Sequence, residues 1–175
     1  MSGTLTAPVL RRLTAADRGR IEEITRGVRV FRDDEIPVAL EVFDGAVGPD
    51  VDGTDGVRAD AVRPYRALGA DLDGRLAGWI CWGPTPCTLG TYDLYWMAVD
   101  PALHGAGVGT ALLGEMERHL AGIARLVVVE TAGRPDYAPT RAFYEARGYR
   151  RAAVIPDFYA PGDDQIVYVK TLSTG

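Results

Sequence analysis

An α/β fold, with a mixed sheet of six or seven strands and helices on both of its faces, is what this chain of 175 residues predicts. Three observations carry that prediction. Apolar runs of strand length alternate with segments whose apolar residues recur at helical spacing. Asp73-Gly74 joins two of the runs as an antiparallel hairpin. Leu126 to Val129 reads LVVV, the unbroken apolar run of a central strand covered on both sides. With 47% hydrophobic residues, positions 1–175 are read as one domain with a core of its own.

Val9 to Leu13 opens as a short strand. Thr14, with Asp17 three residues on, has the arrangement of a capping box, and Ile21, Ile24, Val28 and Phe31 recur on one helical stripe. Asp33 and Asp34 offer a second cap ahead of Ile36, Leu40 and Phe43. Residues 44–63 break the pattern with five Asp and four Gly and read as a mobile loop. Asp50, Asp52 and Asp55 there have the opening rhythm of a calcium loop. The Gly and Glu that an EF-hand needs further along are Asp55 and Ala61, so no metal site is expected. Strands are expected at 65–72, 75–83 and 91–99. A helix over 107–121 puts Val108, Ala111, Leu112, Met116 and Leu120 on one face and stops at Gly122. A strand over 125–131 follows. Next comes a helix with Asp136 as its cap and Pro139 in its first turn, ending at Gly148. Strands near 149–155 and 165–172 complete the chain.

Charge narrows the partners. The net charge is −5 and Lys170 is the single lysine, a poor endowment for tracking phosphates along a nucleic acid. An acidic surface favours cationic ligands such as amines. MSGTLTAPVLRR lacks the apolar region of a secretory signal, and no run of about 18 apolar residues occurs, so no membrane is expected. Two Cys, Cys81 and Cys87, and two His leave a structural zinc site without ligands, and a reduced, cytoplasmic setting is expected. A second copy of the chain is left open as a partner.

The most informative stretch is Leu94 to Leu113, LYWMAVDPALHGAGVGTALL. Glycines 105, 107 and 109 stand where the chain turns from a strand into a helix, where backbone N–H groups can be aimed at one anion. A nucleoside-triphosphate loop would need a Lys before Gly109-Thr110 and has none. A dinucleotide fold of the Rossmann kind, and hence an NAD(P)-dependent oxidoreductase, shares the strand, glycine, helix, strand order, with Glu130 about 20 residues later. Against it, Asp100 to His104 separate the glycines from the strand. A turn made only for close helix packing is the remaining alternative.

The spacing fits a fourth pattern better. His104-Gly105-Ala106-Gly107-Val108-Gly109, preceded by MAVDP, resembles the [RQ]-x-x-G-x-[GA] signature of the GNAT superfamily of acyl-CoA-dependent N-acyltransferases, with His104 in place of the usual Arg or Gln. A second block, YAPTRAFYEARGY from Tyr137 to Tyr149, is similar to the family's N-x-x-A-x-x-F-Y-E-x-x-G-[FY]. It departs at Tyr137 and Thr140 and matches at Phe143, Tyr144, Glu145, Gly148 and Tyr149.

The resemblance implies acetyl transfer from acetyl-CoA to a primary amine, of a small molecule or of a peptide or protein, by direct attack in a ternary complex. It places the pantetheine arm along Met97, Ala98 and Val99. The pyrophosphate falls on Gly105, Ala106, Gly107, Val108, Gly109 and Thr110 beside His104, with Tyr137 and Arg141 flanking the cofactor. An amine attacks only when neutral, so a base is required. Asp93, the lone charge in YDLYWMAV, stands where one branch of the family carries its Glu base, or else faces solvent at a strand start. Glu130 is the reserve base. Tyr144 stands where the family's general acid protonates the departing thiolate, or else fills the core beside Phe143. Acceptor selection is implied for the stretch from Phe31 to Ile36 and for the loop Asp157 to Asp164, with Tyr159 lining a channel and Glu35, Asp157 and Asp163 attracting the amine. A non-enzymatic acyl-CoA sensor is the remaining alternative.

Overall fold

The computed structural model describes residues 7–47 and 65–172. Seven strands among them lie in the order β1-β2-β3-β4-β5-β7-β6. They are β1 (Val9–Arg12), β2 (Arg66–Leu72), β3 (Arg75–Pro84), β4 (Thr91–Val99), β5 (Leu126–Ala132), β6 (Arg150–Ala160) and β7 (Asp163–Thr171). The α-helices are α1 (Arg18–Gly27), α2 (Glu35–Val47), α3 (Val108–Leu120) and α4 (Ala138–Glu145). Strand β4 pairs parallel with β5, whereas β1 with β2, β2 with β3, β5 with β7 and β6 with β7 are antiparallel. That mixture rules out the dinucleotide fold, whose halves are built from successive parallel strands.

The described residues gather into two compact units, one within 1–83 and 96–115 and the other within 84–95 and 116–175. In the first, Ile21 and Ile24 of α1 and Ile36, Leu40 and Phe43 of α2 are buried with Trp79, Cys81 and Ala98. Phe43 meets Trp79 edge-on at 6.0 Å. The buried indole donates to Thr25 Oγ1 at 3.1 Å, and Thr25 in turn donates to the Ile21 carbonyl at 2.7 Å, so burial leaves neither polar group wanting. A Cβ on the neighbouring Gly78 would fall 2.9 Å from Val108 at the start of α3. Successive strand residues point to opposite faces, so Trp79 and Gly78 set helices on both faces of β3. Asp73 (φ 51°) and Gly74 (φ 77°) turn the β2–β3 hairpin with the positive φ pair that a type I′ turn demands.

In the second unit, Tyr168 of β7 donates to Glu145 of α4 at 2.7 Å. Lys170, two residues on and therefore on the same face, donates to Glu117 of α3 at 2.7 and 2.8 Å. The single lysine is thus spent on packing a helix against the sheet.

Several expectations need correction. Helix α2 runs on to Val47, so 44–47 are not loop: Ala46 is buried on the stripe of Ala39 and Phe43, and Gly45 leaves room for Tyr65, whose ring carbon a Cβ would meet at 3.0 Å. The rest of that expected loop, with Asp50, Asp52 and Asp55, lies outside the described residues. Asp136 does not cap α4; it pairs with Arg134 at 3.3 Å inside a short 3-10 turn, Pro135–Tyr137, that precedes the helix. Strand β5 is not buried throughout: Val127 and Val129 are covered, whereas Glu130 is exposed. Asp157 to Asp164 is not a loop either, because β6 continues to Ala160 and leaves only a tight turn before Asp163.

Candidate active site

The first unit carries the glycine corner. Strand β4 ends at Val99, Asp100 opens the turn Pro101–Leu103, and α3 begins at Val108. Gly105 (φ 85°) and Gly107 (φ 82°) adopt the left-handed conformation that other residues resist. A Cβ on either would meet nothing within 4 Å. These glycines therefore serve the path of the backbone and an open surface, not close helix packing. Ala106 N–H donates to the Leu103 carbonyl at 3.2 Å and Ala111 N–H to the Gly107 carbonyl at 2.9 Å. Between those two bonds lies the first turn of α3, at the positive end of the helix dipole. Val108 is buried and anchors the turn, while Gly105, Gly107 and Thr110 are exposed. His104 is exposed, and its Nε2 lies 3.1 Å from the Val99 carbonyl, so the ring folds back on the strand end.

Phe31 stacks on Trp96 with ring centroids 5.0 Å apart, which brings the segment after α1 against the end of β4. Of the three residues expected along the cofactor arm, Ala98 is buried and Met97 and Val99 are half-buried.

The second unit carries the titratable side chains. The β4–β5 ladder is short: it pairs Thr91–Leu94 with Leu126–Val129 and stops, although β4 continues to Val99 and β5 to Ala132. Asp93 lies opposite Val128 in that ladder, and Glu130 follows two residues later, on the same face. Asp93 Oδ2 accepts from Thr85 Oγ1 at 2.7 Å and from Tyr95 Oη at 3.5 Å. Glu130 Oε2 accepts from Gln165 Nε2 at 2.9 Å. The Glu130 side chain keeps solvent contact, yet the protein around its carboxyl, and secondarily the charge of Asp93, raise its proton affinity above the usual carboxylate range.

Tyr144 is buried on α4 between Phe143 and Tyr149, with centroids at 5.3 and 5.5 Å. Burial, and secondarily Tyr137, hold its phenol protonated well above the ordinary tyrosine range. Tyr137 is also buried, with the Arg134 guanidinium 5.3 Å from its ring centroid. Arg141 Nη1 donates to the carbonyls of Ala132 (2.8 Å) and Arg134 (3.0 Å), which fixes the chain leaving β5.

The residues expected around the acceptor fare unevenly. Tyr159 lies in β6 against Phe158, its ring centroid at 4.9 Å. The three acids expected to attract an amine are occupied internally. Glu35 closes the start of α2 on the Arg32 N–H at 2.6 Å, Asp157 accepts from Gly162 N–H at 2.6 Å, and buried Asp163 faces Arg134 at 3.5 Å. Sequence reasoning missed Thr85, Tyr95 and Gln165, the hydrogen-bond partners of the two carboxylates. Only alternation along the strands could have put Tyr95 beside Asp93, and nothing in the sequence signals the other two. No group of three or more metal-ligating side chains occurs among the described residues.

A mixed sheet with helices, a glycine-opened strand-to-helix corner in one unit, and a buried neutral phenol and a carboxylate pair in the other describe an α/β protein. Comparison with known proteins narrows that class. Residues 40–149 match the model of the Acetyltransferase (GNAT) family, and the chain belongs to that family. A solved structure from Desulfovibrio desulfuricans, assigned to the same family, shares 36% identity, covers 95% of this chain and 100% of its own, and superposes with a TM-score of 0.80. An uncharacterized N-acetyltransferase of Methanocaldococcus jannaschii is 32% identical over 106 residues, 58% of this chain and 63% of that protein. The L-2,4-diaminobutyric acid acetyltransferase of Nocardia farcinica is 31% identical over 113 residues, 57% of each chain. The matched region thus spans about three fifths of the length of these two curated relatives.

Proposed function

We propose that this protein transfers an acetyl group from acetyl-CoA to the primary amine of a small molecule. The observation that carries the reading is the corner at Gly105 and Gly107: positive φ, open space where side chains would stand, and the first turn of a helix behind it. Such a corner favours a diphosphate without any buried cation. In this reading the N–H groups from Gly105 to Thr110 hold the diphosphate of coenzyme A. The backbone of Met97 to Val99, past the end of the β4–β5 ladder, receives the pantetheine arm, and Tyr137 and Arg141 flank the cofactor.

Bound acetyl-CoA supplies the thioester. Glu130 takes the proton from the acceptor ammonium, its proton affinity already raised toward that task, while Asp93 sustains that affinity and is steadied by Thr85 and Tyr95. The freed amine forms the new C–N bond and the C–S bond breaks; Tyr144, held neutral by burial, donates its proton to the leaving sulfur and regains one from the nitrogen, which sheds its second proton as the amide forms. A backbone N–H of Met97 to Val99 stabilises the oxyanion. No covalent enzyme intermediate is needed: Cys81 is buried with its thiol pushed up to about 12, and Cys87 lies in the exposed turn after β3. Phe31, packed on Trp96, contributes to acceptor selection, and Tyr159 is assigned there on the resemblance alone. A small acceptor, rather than a peptide, is favoured by the likeness to the diaminobutyric acid enzyme and by the carboxylate pair, which suits a cation. The free thiols suit the reducing cytoplasm.

The test is a panel of small amines, amino acids, diamines and peptide N-termini incubated with acetyl-CoA while free thiol is followed. Thiol release that depends on a small primary amine is expected. Acetyl-CoA binding without release by any amine would instead leave a sensor, and release with peptides alone would overturn the acceptor class.

A further inference from the structure

Asp100 poses a physical difficulty that Arg20 resolves. The aspartate sits five residues before Gly105, at the root of the corner assigned above to a diphosphate. Its Oδ1 accepts the Ala102 N–H at 3.0 Å, its own N–H donates to the Ala77 carbonyl of β3 at 2.8 Å, and its carbonyl accepts from Leu103 N–H at 2.8 Å. Asp100 therefore shapes the turn leading into the cradle, through one carboxylate bond and two main-chain bonds. The same carboxylate is only 17% exposed, so little water screens its charge from an arriving anion.

Arg20 of α1, 80 residues away in sequence, meets that charge with its guanidinium on Asp100 Oδ2. Arg20 is 16% exposed and makes two further bonds, Nε to the Leu76 carbonyl at 3.0 Å and Nη1 to Glu23 at 2.9 Å. It joins α1, β3 and the loop root through one rigid fork. The Asp100 carboxyl is held below the usual carboxylate range, first by its bond to Arg20.

We propose that Arg20 is a positioning residue for the phosphate-binding corner: it fixes Asp100 at the turn and cancels a charge that would otherwise repel the diphosphate. The inference rests on the coenzyme A reading. It assigns to a side chain of the first helix part of the affinity that the cradle's main-chain amides alone would be credited with.

The experiment is isothermal titration of the full chain with coenzyme A and with pantetheine, which lacks the diphosphate. Arg20→Met leaves Asp100 charged and unpaired, and should weaken coenzyme A about tenfold or more while pantetheine affinity changes less than about twofold. Adding Asp100→Asn keeps an oxygen for Ala102 but removes the charge, and should recover about threefold or more of the lost affinity. Arg20→Lys should fall between wild type and Arg20→Met. Misfolded protein lowers the binding stoichiometry and leaves the dissociation constant of the folded fraction, so a partly unfolded variant still reports. Equal weakening of both ligands, unchanged coenzyme A binding in Arg20→Met, or no recovery in the double variant would overturn the inference while the coenzyme A reading stands. Wild-type protein that binds no coenzyme A would sink that reading and this inference with it.

Discussion

The two units are built by opposite means. The corner at Gly105 to Thr110 is built from main chain: its turning residues Gly105 and Gly107 have no side chain and are exposed, and its partial charge belongs to a helix end. The Asp93, Glu130 and Tyr144 set is built from side chains: burial raises the proton affinity of Glu130 and of Tyr144, and the charge of Asp93 raises that of Glu130 further. A main-chain device tolerates most side-chain changes and fails when the backbone path is lost. A side-chain device fails atom by atom. If coenzyme A and proton transfer divide between the units in this way, substitutions in the second unit should change kcat and those in the first should change affinity for the acyl donor.

The largest effect belongs to Tyr144→Phe. The ring still packs between Phe143 and Tyr149, but the phenolic proton is gone. The expected outcome is a fall in kcat of about a hundredfold with the KM for acetyl-CoA nearly unchanged, read from initial rates with a good acceptor. A variant as fast as wild type would reduce Tyr144 to a core aromatic. Gly107→Val is the counterpart in the first unit. A β-branched residue at φ 82° costs about 1–2 kcal/mol or refolds the corner, so acetyl-CoA affinity should drop about tenfold with kcat at saturation largely kept. A collapse of kcat at saturating acetyl-CoA, with affinity unchanged, would break the division of labour.

The same contrast decides how much of the molecule is legible in its amino-acid sequence. The seven strands, the Asp73-Gly74 turn and the corner are legible, because period, apolar runs and positive-φ glycines are local demands that the chain must meet residue by residue. Gly105 and Gly107 announce themselves for that reason. Side-chain partners are not local in either unit. Gln165 reaches Glu130 across 35 residues and Arg20 reaches Asp100 across 80, and nothing in the composition near either end signals the pairing. Asp157 to Asp164 misled for a related reason: Pro and Gly punctuate it, but Ala160 pairs with Asp163, so β6 and β7 stay joined up to the turn across an irregularity where Asp157 takes φ 53°. Asp163, read as bait for an amine, is instead buried against Arg134.

A pH profile separates the two carboxylates. A base acts only when deprotonated, so activity limited by Glu130 rises with pH through its raised proton affinity. Asp93→Asn removes one cause of that elevation, so the rise should move to lower pH, with a change of a few-fold in rate at neutral pH. Glu130→Gln should abolish the rise. The sign for stability follows too. A carboxyl whose folded proton affinity is raised opposes folding once pH passes its unfolded value, so Glu130→Gln should match wild type in acid and melt slightly higher at neutral pH. Loss of all activity in Asp93→Asn, with no shift of the rise, would make Asp93 the base.

The smallest effect is expected at His104, where the family resemblance puts an Arg or Gln. Were the corner a side-chain device, this departure would weaken it and His104→Ala would weaken it further. The imidazole instead turns back to the Val99 carbonyl at 3.1 Å, while the Ala106 and Ala111 bonds that shape the corner are main chain throughout. Titration with coenzyme A should therefore show His104→Ala within about threefold of wild type, the scale of one exposed hydrogen bond. A loss of about thirtyfold would mean that the ring, and not the backbone alone, holds the ligand. The main-chain account of the first unit would then fail at its own centre, whatever Tyr144 does in the second.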